Sequence, residues 1–231
     1  METTCSSFVL GRALLVLPEK SQTTAYADLI NSVLLAQLVA NRKVEEDAQA
    51  NWYDCYVSVL DDFWLRQSKV RYDLQISDHG SDSFFEWITQ VVIDRAPEGS
   101  QYLTPALQQI AGTRGAETTV SARTDHAAVA STAQSLNRPG VLVIVPQSET
   151  SFTSVFVEFT TRQQTEFNPW QRFQTELVNG AVGLRFSQAS LSEFLYRPAR
   201  RAIAVKVKDK LNANLRPLDA PINDGSGEMT S

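Results

Sequence analysis

Arg138-Pro139-Gly140-Val141-Leu142-Val143-Ile144-Val145 and, a short step later, Phe152-Thr153-Ser154-Val155-Phe156-Val157-Glu158-Phe159 are the stretches that decide the fold. The first is an unbroken apolar run, rich in β-branched residues and opened by Pro-Gly, which reads as a strand. In the second, Phe152, Ser154, Phe156 and Glu158 alternate with Val155, Val157 and Phe159, the two-residue period of a strand. Upstream of residue 140 the apolar spacing is instead close to four. The expected fold class is therefore α+β: an N-terminal helical layer of about four helices, followed by an antiparallel β-sheet with a C-terminal helix.

Four helices are expected upstream. Residues 23–42 place Tyr26, Leu29, Ile30, Val33, Leu34 and Leu38 at helical spacing, with Thr23 or Thr24 as cap. A second pattern covers residues 46–72, where Trp52, Cys55, Tyr56, Val59, Phe63 and Val70 follow one stripe, and residues 44–47 suit the joint of a helical hairpin. Ser83-Phe84-Phe85-Glu86 matches a capping box and opens a third helix, with Phe84, Trp87, Ile88 and Val91 inward and Pro97 as its stop. A fourth, near residues 100–110, carries Leu103, Leu107 and Ile110 on one face and ends at Gly112. Residues 116–139 change character: 13 of 24 are Ala, Ser or Thr, a linker or a light helix.

Downstream, Asn179-Gly180 suits the positive-φ positions of a type I′ turn, and Phe173, Thr175 and Leu177 face Val182, Leu184 and Phe186 across the hairpin it would close. Residues 197–215 fit both a helix, through Ile203, Val207, Leu211 and Leu215, and a strand over 201–208; length favours the helix, with Pro198 in its first turn. This divides the chain into a mainly helical region at 1–115, the 116–139 stretch, a β-rich region with its terminal helix at 140–218, and a flexible tail at 219–231.

A hydrophobic fraction of 43% against 20% charged residues is the composition of a folding chain. Net charge is −5 and uneven: residues 1–115 hold 9 Lys and Arg against 15 Asp and Glu, residues 116–231 hold 12 against 11. Counterion-release binding needs a clear basic excess, so nucleic acid is disfavoured as a general partner. Cys5 and Cys55 read as free thiols. The apolar run from Phe8 to Leu17 is broken by Arg12 and makes a poor signal peptide, and no stretch is long enough to span a bilayer. The expected location is cytoplasmic, with leaderless export open.

Chemistry is sparse. Only two histidines occur, His79 and His126, which removes the usual agent of acid/base and transition-metal chemistry. Asp78-His79-Gly80-Ser81-Asp82 has metal-capable side chains, but reads more simply as a capped turn. Cys55 falls on an apolar stripe that suppresses a thiolate. Neither a nucleophile elbow nor a phosphate-cradling glycine loop is present. No catalytic, cofactor or metal residue is assigned, and no motif resembles a known family closely enough to name one. Asp54 and Asp61 lie two turns apart on one helical face beside Asp62, a pair that serves hydrolysis only in a concave site and reads more simply as a solvated helix face. The strongest charge cluster is Arg197, Arg200, Arg201, Lys206, Lys208 and Lys210, read first as contact with the acidic front half or with another subunit, then as a solvated face, and last as a site for nucleic acid or anionic lipid. Phe167 and Trp170, around Pro169, suit a contact hot spot or a core-closing loop.

Three functional readings follow. The leading one is a non-enzymatic binding or assembly protein, working with a protein partner or by self-association in a larger, bacterial-type complex. The others are a carboxylate- or metal-dependent hydrolase using Asp61, Asp62, Asp78 and Asp82, and a membrane-acting or toxin-system component.

Overall fold

The computed structural model describes residues 5–18, 23–75, 83–95, 100–112, 138–161, 169 and 178–218. Seven strands form one sheet: β1 (Cys5–Leu10), β2 (Ala13–Pro18), β3 (Trp64–Leu74), β4 (Gly140–Ser148), β5 (Ser151–Glu158), β6 (Val182–Leu191) and β7 (Leu215–Pro217), in the order β3-β6-β5-β4-β2-β1-β7. The described helices are α1 (Ala27–Glu46), α2 (Trp52–Leu60), α3 (Phe84–Arg95), α4 (Leu103–Gly112), α5 (Glu193–Tyr196) and α6 (Arg200–Asn214).

Successive side chains of the central strands enter two different cores. Leu15, Leu17, Leu142, Ile144, Phe152 and Phe156 join α1, α2 and α6 through Ile30, Val33, Leu34, Tyr56, Leu60, Ile203 and Val207. Leu14, Val16, Val141, Val143, Val155, Val157 and Phe186 join α3 and α4 through Phe84, Phe85, Ile88, Leu103, Leu107 and Ile110. Helices therefore cover both faces of the sheet.

The class is mixed α and β as expected, but the order of elements is not. Four α-helices do lie before residue 113 among the described residues, yet strands β1 and β2 precede them and β3 separates α2 from α3. The run from Phe8 to Leu17 forms a hairpin: Leu10 pairs with Ala13 across a two-residue turn of Gly11 and Arg12, with Gly11 at φ 59°. The sheet is not purely antiparallel, because β2 runs parallel to β4, Ala13 opposite Leu142. The long second helix stops at Leu60. Beyond it Val70, Tyr72 and Leu74 alternate inward as strand β3, and the seven-residue interval from Phe63 to Val70 had imitated a helical stripe.

The Asn179-Gly180 hairpin is replaced by another pairing. Both edges of β6 are filled, by β3 and β5, while the Asn179 N–H donates to the Thr160 carbonyl at 2.7 Å and Val178 bridges Thr161. Gly180 does take the positive φ expected, 86°. The inward set Val182, Leu184 and Phe186 is buried; its predicted partners at 173–177 lie outside the described residues, as do Pro97, most of 116–139 and the tail at 219–231. Residues 23–26 form a 3-10 turn, and the α1 N-cap is Tyr26 without a side-chain bond, so neither threonine caps. The capping box is present in both directions: Ser83 N–H donates to Glu86 Oε2 at 3.0 Å and Glu86 N–H to Ser83 Oγ at 3.2 Å. Residues 200–214 are helical, with Pro198 in the turn before them rather than in the first turn.

Strand β3 serves both cores because it contains a bulge. Its register against β6 shifts between Arg66 and Ser68, leaving Gln67 as the extra residue. One inserted residue reverses the facing of everything beyond it. Trp64 therefore points to the α1 side, donating its indole N–H to Ser32 Oγ at 2.9 Å and meeting Phe152 edge-on at 4.9 Å, while Val70, Tyr72 and Leu74 point to the α3 side. Deleting Gln67 should expel either Trp64 or the Val70 set from its core, at a cost of at least ~3–5 kcal/mol. Gln67→Ala should stay within about 1 kcal/mol of the parent, because the side chain is exposed. Urea unfolding with near-ultraviolet circular dichroism checks both; a deletion variant of unchanged midpoint would refute this reading of the bulge.

Candidate interaction surface

Helix α5 is fixed by its two ends. Ser192 caps it, its Oγ accepting from Leu195 N–H at 3.4 Å, while Ser192 N–H donates to the Phe63 carbonyl at 2.8 Å. Tyr196 is buried edge-on against Phe63, ring centroids 5.5 Å apart, and donates its hydroxyl to the Asp28 carbonyl at 3.3 Å. Arg200 then ties three elements together. Its Nε donates to both Asp28 carboxylate oxygens at 3.2 and 3.0 Å, its Nη2 to Glu193 at 2.6 Å, and its guanidinium lies 5.4 Å from the Tyr196 ring. Hydrogen bonds to Glu193 and Asp28 raise the arginine pKa, and the same Arg200 bond holds the Glu193 carboxyl below its ordinary value.

The other members of the basic cluster behave differently. Ile203 and Val207 bury the inner stripe of α6, which turns Arg201, Lys206, Lys208 and Lys210 to solvent, and Arg197, at the end of α5, is exposed as well. Among the described residues none of these five has an ion pair, and Asp209 is the one acid on α6. Apolar groups stand among them: Phe194 is 87% exposed, Val205 66% and Leu195 42%. Reading the sequence missed these three, although Val205 falls off the Ile203–Val207 stripe of α6 and so had to face outward; Phe194 and Leu195 belong to the separate short helix α5. Phe167 and Trp170 lie outside the described residues.

A second polar cluster lies between α2 and the sheet. Asn51 caps α2, its Oδ1 accepting from Asp54 N–H at 3.0 Å. Asp54 binds Arg185 Nη1 at 2.6 Å, Glu158 binds Arg185 Nη2 at 2.9 Å, and Asp61 binds Arg66, which also donates to Ser187 Oγ at 2.7 Å. Burial pulls the Arg185 pKa down, but Glu158 and Asp54 more than offset it and the net shift is upward. Below lies an aromatic stack: Arg185 over Tyr53 at 5.0 Å, Tyr53 on Phe156 at 4.5 Å, and Trp52 on Tyr56 at 5.3 Å. Gly140 leaves room for the Phe156 ring, since a Cβ there would meet it at 2.9 Å.

Asp54 and Asp61 are thus the outer halves of ion pairs that bind a short helix to the sheet. Both side chains stay largely exposed, Asp54 at 63% and Asp61 at 45%, while each is paired to an arginine. Asp54 also lines an open depression of about 530 Å³, together with Asn51, Arg71, Glu158, Gly183 and Arg185. Arg71 is paired there with Asp73 at 3.0 Å. Asp78, His79, Asp82 and His126 lie outside the described residues, among which no group of three or more His, Cys, Asp and Glu converges. Cys5 and Cys55 are partly buried, and neither is in a disulfide. Among the described residues no helix is long and apolar enough to cross a membrane.

No family model matches the chain, and no curated protein matches it in sequence. One solved structure, described as that of the Evf virulence factor, is similar over 93% of this chain and 85% of that one, with 13% identity and a TM-score of 0.34. A likeness that loose carries no argument about fold or activity.

The buried tyrosines give the structure an alkaline limit. Burial raises the hydroxyl pKa of Tyr53, Tyr56 and Tyr196 above the ordinary 10.0. A folded-state value above the unfolded one contributes stability that is complete below the unfolded pKa and is lost as pH rises past it. Unfolding should therefore set in above pH 10.0, with these three of the chain's six tyrosines ionising only as the helical circular dichroism disappears. Tyrosinate absorbance followed in parallel with circular dichroism checks this; ionisation of all six without loss of helix would contradict the burial described.

Proposed function

We propose that the chain is a non-enzymatic binding and assembly protein, and that the α5–α6 face is its contact surface, docking on an acidic surface of a second copy. The exposure of Phe194 carries this reading. A large aromatic side chain held in water on a capped helix, followed along the chain by the exposed cations Arg197, Arg201, Lys206 and Lys208, has the composition of a contact surface: an apolar anchor with charges that steer the encounter.

Charge complementarity points to the occupant. Residues 1–115 carry 9 basic against 15 acidic side chains, and Glu45, Glu46 and Asp47 stand exposed together at the end of α1. An α5–α6 face meeting such a surface on another copy is a head-to-tail contact, which builds rings or open chains.

Light scattering coupled to size exclusion tests the proposal. Mass should rise with protein concentration above the 25.7 kDa of one chain, and the rise should weaken as salt screens the exposed charges. A double variant, Phe194→Ser with Arg201→Glu, should remain at one-chain mass with an unchanged thermal midpoint, because both side chains are exposed in the folded chain. A parent protein that stays at one-chain mass at every concentration and salt overturns the assembly reading.

A further inference from the structure

Four arginines among the described residues are partly buried: Arg12, Arg66, Arg185 and Arg200. Three of them bind carboxylates, Arg66 with Asp61, Arg185 with Asp54 and Glu158, and Arg200 with Asp28 and Glu193. Arg12 has none. Its guanidinium lies 4.6 Å from the centroid of the Trp52 ring, and burial alone lowers its pKa, with no neighbouring carboxylate to raise it. A cation taken from water without a counter-ion is costly, and stacking on an indole offsets only part of that cost.

The chain goes to some length to hold it there. Gln37, buried in α1, accepts from Arg12 N–H at 2.7 Å and donates to the Leu10 carbonyl at 2.9 Å, clasping the β1–β2 turn from both sides. Gly11 N–H donates to the Asn214 carbonyl at 2.9 Å. A Cβ at Gly11 would come within 2.6 Å of Gln37 Oε1, and its φ of 59° is one that side-chain-bearing residues rarely adopt. Trp52 is itself fixed, its indole N–H donating to Asn41 Oδ1 at 2.7 Å. The backbone and the stacking partner of an unpaired arginine are therefore both specified by hydrogen bonds from α1 and α6.

We propose that Arg12 is the receptor for an oxyanion, a carboxylate or phosphate group of a small ligand, bound at the β1–β2 turn beside Trp52. The planar guanidinium offers five N–H donors, none of them used within the described chain, and a two-oxygen acceptor completes the pairing that the other three arginines find internally. The site is separate from the α5–α6 face. It lies at the Asn214 end of α6, roughly 20 Å of helix away from Arg200, so the two proposals stand or fall independently.

The test uses the whole chain with inorganic phosphate and with succinate as probes, each against chloride at matched ionic strength. Either anion should raise the thermal midpoint saturably and change the tryptophan fluorescence, and Trp52→Phe should remove the fluorescence change. The response of the two probes shows whether the site takes phosphate or carboxylate. Arg12→Met should abolish the response, and in chloride should be at least as stable as the parent, because it removes the desolvated charge. Arg12→Lys, which keeps the charge without the fork, should respond more weakly. A parent protein indifferent to both anions, or an Arg12→Met variant that keeps the response, overturns the proposal.

Discussion

The structure depends on burial of the central strands from both sides. Leu14 and Leu15, Val143 and Ile144, Val155 and Phe156 are neighbours in sequence that enter opposite cores, and all are buried. A sheet in that position cannot leave either face to water, so the chain must supply a helical layer to each. The α1–α2–α6 layer covers one and the α3–α4 layer the other. Between β2 and β4, which pair in parallel, the described chain supplies α1 and α2 to one face and α3 and α4 to the other. The Gln67 bulge is the local cost of an edge strand that serves both cores at once.

Strand alternation was legible where polar and apolar residues took turns. Phe152 to Phe159 showed its period directly, and the reciprocal bonds of Ser83 and Glu86 followed from four residues of sequence. Phe8 to Leu17 was illegible for the opposite reason: a hairpin buried on both faces has no polar phase, and a continuous apolar run invites comparison with a leader. Residues 64–74 were misread because a bulge breaks the two-residue period at its centre, so Trp64 and Val70, which would share a face in a regular strand, do not. Asn179-Gly180 announced its positive φ but not its partner, since the edges of β6 are filled by segments remote in sequence, β3 and β5.

The basic cluster shows the same division between local and remote information. That Ile203 and Val207 face inward was set by helical spacing, which fixed the outward direction of Arg201, Lys208 and their neighbours. That Arg200 alone is consumed internally was not, because its partner Asp28 is 172 residues away. Likewise Asp54 and Asp61 looked like a pair to each other and are in fact each paired to an arginine of the sheet. Of the four acids that the hydrolytic reading named, Asp61 is committed in this way.

What distinguishes the surfaces from the scaffold is whether charge is answered within the chain. At the α2 clamp and at Arg200 each partly buried arginine has acidic partners, and the helices are tied to the sheet by them. On the α5–α6 face the cations are unanswered but solvated, a state that costs little in stability and is suited to a partner that comes and goes. At Arg12 the cation is unanswered and partly desolvated, a state unfavourable to folding by itself. A side chain kept in that state by a buried glutamine and a glycine without room for a Cβ is better explained by something it binds than by anything it holds together.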